Sequence, residues 1–147
     1  MNGYRFNEGY LSLPSDVEDS TMNIFRLKAL QATLVISREQ LAADLKPDDY
    51  FQQQMQLLRK SMKNFLPGEK RPVTLTQSPA IPCYEFSCQF QQQGKSIHQQ
   101  LLMAVNDRQV LVFAFTRHSP FDAESIACWQ SIKESICLTQ TSPGEAV

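Results

Sequence analysis

The side chains with covalent or metal chemistry in this chain are few. They are four cysteines, Cys83, Cys88, Cys128 and Cys137, two histidines, His98 and His118, and the acids Asp19, Asp48 and Asp49. A cysteine nucleophile needs an imidazole beside it, and no local signature joins either histidine to a thiol. No C-x-x-C pair offers ligand spacing for zinc. Cys83 and Cys88 are an odd number of residues apart, so a regular strand sends them to opposite faces. Asp48 and Asp49 directly follow Pro47, where negative charge suits the first turn of a helix, and Asp19 lies in an acidic turn. Dinucleotide, P-loop and nucleophile-elbow motifs are absent. The residues predict no enzyme, no cofactor and no metal. A cysteine hydrolase is the competing chemical reading, and it requires one thiol of raised reactivity.

A second group of residues suits recognition better than reaction. Gln54, Ser37, His98 and Gln100 are neutral donors and acceptors set among apolar neighbours. Neutral groups cost less to desolvate than charges, so this mixture fits an apolar ligand with backbone carbonyls still to satisfy. A transmembrane helix held in water is such a ligand, because faces rich in Gly and Ala expose their carbonyls to Ser and Gln partners.

The elements that position these residues read as follows. Tyr4 to Leu13 forms two short strand pieces around Asn7-Glu8-Gly9, ended by Pro14. Thr21 to Leu27 alternates as a strand, with Met22 and Ile24 on one face and Phe25 and Leu27 on the other. Ala32 to Arg38 is its β-branched neighbour, with Val35 and Ser37 on one face. Pro47 opens a helix whose stripe is Phe51, Met55, Leu58, Met62 and Phe65, stopped by Pro67-Gly68. Pro72, Pro79 and Pro82 keep the next segment irregular or at an edge. Tyr84, Phe86, Cys88 and Phe90 line one face of a strand. Ser96 to Val105 and Gln109 to Thr116 form a hairpin around Asn106-Asp107-Arg108. A last helix starts with Ser119 as N-cap and Pro120 at its first position. It runs to about Ser135 and buries Ile126, Trp129 and Ile132.

Strands, a helix, more strands and a helix predict an α+β fold: a mostly antiparallel sheet of about six strands with two helices. Residues 1–138 form one domain, and 139–147 are expected to be a disordered tail. The last two strands are apolar on both faces: Leu111, Phe113 and Phe115 oppose Val110, Val112 and Ala114. Two helices of these lengths cover about one face, which leaves the second for a partner or ligand. The alternative is that the helices divide between the faces.

The chain of 147 residues has a formal net charge of -1, which gives no electrostatic footprint for nucleic acid or an anionic membrane. No apolar run approaches a membrane span, and the opening residues lack a signal-peptide core. A cytoplasmic location without membrane insertion is expected.

Several segments together resemble the Eag-type chaperones of the DcrB-related group, which accompany type VI secretion effectors. They are Tyr4-Arg5-Phe6-Asn7-Glu8-Gly9, Leu13-Pro14, Asp19, Met22-Asn23-Ile24-Phe25, Val35-Ile36-Ser37-Arg38, Tyr50-x-x-x-Gln54, and Gln100 on the strand after Gly94. The resemblance extends to about Leu138 but leaves Pro72 to Pro82 and the tail unmatched. It implies a Mog1/PsbP-like fold, a homodimer, and a cytosolic role without catalysis or cofactor. The implied role is cradling the N-terminal transmembrane helices of a PAAR or Rhs effector and aiding its loading on the VgrG spike. It also implies that Met22, Ile24, Ser37, Gln54 and Gln100 contact the client helix; strand alternation adds Val35 and Leu102. The alternative is a structural cell-envelope protein of the DcrB/PsbP-like type.

Overall fold

The computed structural model describes residues 2–17 and 20–139. Asp19 and residues 140–147, the greater part of the expected tail, lie outside them. Strands β1 (Asn2–Phe6) and β2 (Gly9–Leu13) pair as a hairpin separate from the main sheet. The main sheet is antiparallel, as expected, and has seven strands among the described residues. β3 (Asn23–Leu27), β4 (Ala32–Gln40), β9 (Gln109–Arg117), β8 (Lys95–Asn106), β7 (Ser78–Gln92) and β5 (Lys63–Pro67) follow in spatial order. β6 (Arg71–Leu75) pairs with the first half of β7, on the edge whose second half β5 takes.

Among the described residues there are two α-helices, α1 (Pro47–Ser61) and α2 (Ala123–Ser135), and they lie on opposite faces of the sheet. On one face Leu34, Leu102, Ala104, Leu111, Phe113 and Phe115 pack with Trp129 of α2. The Phe115 and Trp129 rings stack with centroids 5.4 Å apart. On the other face Met103, Val105 and Val110 pack with Tyr50, Phe51 and Met55 of α1. The expectation that both helices cover one face is therefore corrected. β8 and β9 are apolar on both sides because each side meets a helix.

Two helix ends also differ from the pattern. The apolar spacing carries the first helix to Phe65, yet α1 ends at Ser61. Asn64 takes φ 53°, a left-handed conformation that Asn tolerates, and the chain turns into β5. Met62 and Phe65 still reach the core from there, so the spacing marked burial without marking helix. The second helix begins at Ala123, with Asp122 rather than Ser119 as N-cap. Asp122 accepts from the Ser125 N–H at 2.8 Å, and Ser125 Oγ accepts in return from the Asp122 N–H at 2.9 Å. Arg117, buried at the end of β9, fixes the preceding loop by donating to the carbonyls of Leu30 (3.1 Å) and Pro120 (2.6 Å). With this start Trp129 is buried and Ile132 half-buried, whereas Ile126 turns outward at 55% exposed. Pro79 and Pro82 lie within β7 but before Cys83, where pairing with β8 begins, so their missing N–H groups break no ladder on that side.

Candidate functional site

Register decides which candidate residues meet. β3 and β4 pair Ile24 with Val35 and Arg26 with Thr33. β4 and β9 pair Thr33 with Thr116, Val35 with Ala114 and Ser37 with Val112. β9 and β8 pair Thr116 with Gln99 and Ala114 with Leu101. Partners across a ladder share a face, and Val112 packs into the α1 cluster, so all of these lie on the α1 face. Helix α1 covers only the end of that face near the β8–β9 turn. Beyond it Thr33, Val35, Ser37, Leu101, Ala114, Thr116 and Gln99 remain half-buried. At the free edge Met22 and Ile24 are exposed by 56% and 59%. The result is an open apolar strip across four strands, crossed by neutral polar side chains and bordered at the β3 edge by Arg26.

α1 supplies one wall. Tyr50 donates from its hydroxyl to Glu39 Oε2 at 2.5 Å, which turns that flank of the helix toward β4. Gln54 lies one turn further along the same flank and is half-buried. Burial, and secondly the Glu39 carboxylate, hold the Tyr50 hydroxyl far above the ordinary phenol range, so it stays a donor. The other flank of α1 is fixed by Lys70. Its ammonium sits 4.6 Å from the Phe51 ring centroid, 4.3 Å from that of Tyr84 and 2.7 Å from Asp48 Oδ1. The helix is thus tied at its first turn from both sides.

Of the residues the sequence singled out, Ile24, Val35, Ser37 and Gln54 come together around this strip, and Met22 lies exposed just before β3. Gln100 and Leu102 do not. They pair with Phe115 and Phe113, whose side chains face α2, and Leu102 is completely buried beneath that helix. The glutamine on the strip is Gln99. It belongs to a small relay: the Cys88 thiol lies 3.4 Å from Gln99 Oε1, and Gln99 Nε2 lies 3.1 Å from Thr116 Oγ1. The strip residues that sequence reading missed are Gln99, Thr116, Thr33, Ala114 and Leu101. The signal for Gln99 was present, because it is the polar member of the alternating run Ile97, Leu101, Met103 and Val105.

The groups considered for chemistry are dispersed. Cys83 and Cys88 lie on opposite faces, and their thiols donate to Ile81 O and Gln99 Oε1 rather than to a histidine. Burial pushes both thiols up to about 11. Among the described residues no three His, Cys, Asp or Glu side chains gather as metal ligands, and no helix is long and apolar enough to cross a membrane. Two clefts lie away from the strip. One, of about 290 Å³, runs between α2 and β6 past Glu85 and Lys133. The other is lined by Gln31, Lys95, Ser96, His118 and Ser119.

An antiparallel sheet with a helix on each face and an uncovered apolar strip beside one of them is an α+β architecture able to seat a ligand on its sheet. The sequence matches the DcrB family model over residues 8–135, and the chain belongs to the DcrB family. In fold it is similar to protein of unknown function PA94 from Pseudomonas aeruginosa, with a TM-score of 0.79 and 21% identity over 96% of this chain and 99% of that one. A cyanobacterial PsbP from Synechocystis aligns over 85% of this chain and 94% of its own, at 6% identity and a TM-score of 0.46. No curated protein matches the sequence.

Proposed function

We propose that this protein is a non-catalytic cytoplasmic chaperone that holds an N-terminal transmembrane helix of a type VI secretion effector, of the PAAR or Rhs kind, until the effector is loaded on its VgrG spike. The observation that carries the reading is the half-buried strip on the α1 face. Its floor of Val35, Leu101 and Ala114 would gain by leaving water, and its polar members are neutral except Arg26 at the exposed β3 edge. A site for a charged or soluble ligand would be built differently.

The dimensions also support one helix per site. Four strands span about 14 Å at the usual spacing, and Thr33 to Ser37 covers about 14 Å along β4. That seats two to three turns of a helix about 10 Å in diameter, whereas a membrane-spanning helix of about 20 residues is about 30 Å long. The overhang favours a homodimer in which a second copy covers the remainder.

The test is co-expression with the N-terminal apolar segment of an effector encoded beside it, followed by purification without detergent. A soluble complex is expected. A client that aggregates, with this protein alone in solution, counts against the reading.

A further inference from the structure

Strand β6 is an edge of the main sheet: it pairs with β7 on one side and with no other strand among the described residues. Pro72 has no N–H to give a ladder, and an edge strand tolerates it where that position faces outward. Residues two apart turn their main-chain groups to the same side, so Thr74 also directs its N–H and C=O away from β7. The register agrees, because Val73 is paired with Cys83 and Leu75 with Ser78, while Thr74 between them has no partner. The cleft of about 290 Å³ opens beside this stretch, with Val73, Thr74, Leu75 and Thr76 along one wall and α2 along the other. Inside it Glu85 is neutralised twice, by Lys133 Nζ at 2.8 Å and by Arg71 Nη2 at 3.0 Å. Glu134, on the α2 wall, accepts from Gln130 Nε2 at 3.1 Å and forms no ion pair among the described residues. The charges lining the cleft, Glu85, Lys133 and Glu134, therefore leave one carboxylate in excess.

We infer that the β6 edge and the cleft beside α2 form a second binding site, which takes an extended peptide segment of a partner protein: its main chain adds a strand at Thr74, and a Lys or Arg side chain reaches Glu134. A helix spends its N–H groups within itself, so only an extended chain satisfies the donor and the acceptor of Thr74 together. Main-chain pairing supplies the attachment, and the excess carboxylate selects a basic side chain over an acidic one. The cleft lies on the α2 face and the apolar strip on the α1 face, so this site goes beyond the helix-holding reading and does not depend on it.

The experiment is an NMR titration of the isotopically labelled full chain with the peptide Thr-Val-Thr-Lys-Thr-Val-Thr. Amide shifts should saturate at Val73 to Thr76 and at Gln130 to Glu134, while Val35 and Ala114 on the strip stay unmoved. Methylating alternate peptide nitrogens removes main-chain donors without touching the protein, and should weaken binding at least about tenfold. Replacing the peptide lysine with glutamate should weaken it about three- to tenfold, the span of an exposed ion pair turned into a like-charge contact. Glu134→Gln, a change at an exposed position whose folding a thermal melt checks, should bring the two peptides to about equal affinity. A peptide that moves none of these amides overturns the inference. So does an N-methylated peptide that binds as well as its parent, or a folded Glu134→Gln protein that keeps the preference for lysine.

Discussion

Replacing Ile24 with Asp is the sharpest test of the strip, because the residue is nearly free of structural duty. It sits on the edge strand β3 and is 59% exposed, so the change should alter folding stability by no more than about 0.5 kcal/mol. In a complex with an apolar helix the exposed part of the isoleucine would be covered. Burying a whole Ile side chain stabilises by about 1.5–3 kcal/mol, so the uncovered part contributes about 1–2 kcal/mol. A carboxylate left in that interface adds a desolvation cost of at least about 2 kcal/mol. Together these predict a loss of at least about a hundredfold in affinity. Arg26, two residues along on the same face, offers the new carboxylate partial pairing. A companion Ile24→Ala removes that complication and isolates the apolar part, an expected five- to thirtyfold loss. The assay is titration of an apolar helix of about 20 residues fused to a soluble carrier, with a thermal melt of each variant alongside. A folded Ile24→Asp protein that binds as tightly as the wild type would refute the assignment of the strip.

Four further outcomes separate the scaffold from the site. Leu102→Ala should cost about 2–5 kcal/mol in chemical denaturation, because the side chain is fully buried under α2, and its effect on client capture should follow that loss of fold. Arg117→Met should destabilise by about 2–4 kcal/mol, since it strands the Leu30 and Pro120 carbonyls and loosens the start of α2. Alkylation of the native protein followed by mass spectrometry should label exposed Cys137 first and Cys83 and Cys88 last, because burial raises the last two to about 11; rapid labelling of either would revive a reactive thiol. Asp122 is held below the usual carboxylate range by the Ser125 N–H, so its contribution is present above the ordinary Asp value and lost as pH falls through the depressed one. Asp122→Asn should therefore flatten the acid limb of a melting-temperature profile.

Much of the fold was legible because local chemistry and burial agreed. The β3 and β4 strands, the hairpin through Asp107 and the Pro47 helix start are each where pattern and turn residues place them. The misreadings fall where a distant partner decides. Ser119-Pro120 is a sound helix start locally, but the Arg117 guanidinium holds the Pro120 carbonyl at 2.6 Å, and the capping box forms at Asp122 instead. Phe65 keeps helical spacing from Leu58 and Met62, yet β7 offered an unpaired edge beside it, and pairing there won over another helical turn. The division of the helices between two faces had a sequence correlate in the doubly apolar β8 and β9. That pattern is equally consistent with one covered face and one binding face, so periodicity alone could not decide between them.

The site shows how much depends on a single register. Gln99 and Gln100 are adjacent and chemically identical, and one step along a strand reverses the face. Gln93 and Gly94, at φ 53° and 77°, make the two-residue turn that sets Gln92 opposite Lys95 and Cys88 opposite Gln99. Counting back from that turn carries the apolar face of β7, which is Tyr84, Phe86, Cys88 and Phe90, onto Ile97, Gln99, Leu101 and Met103. An amide in that row sits next to a buried thiol on one side and a threonine hydroxyl on the other, so its hydrogen bonds are supplied within the sheet. Gln100 instead lies in the row of Leu102 and Phe115, which α2 covers. The open strip therefore holds Gln99, engaged within the sheet by Cys88 and Thr116, where a slip of one residue would have placed Gln100.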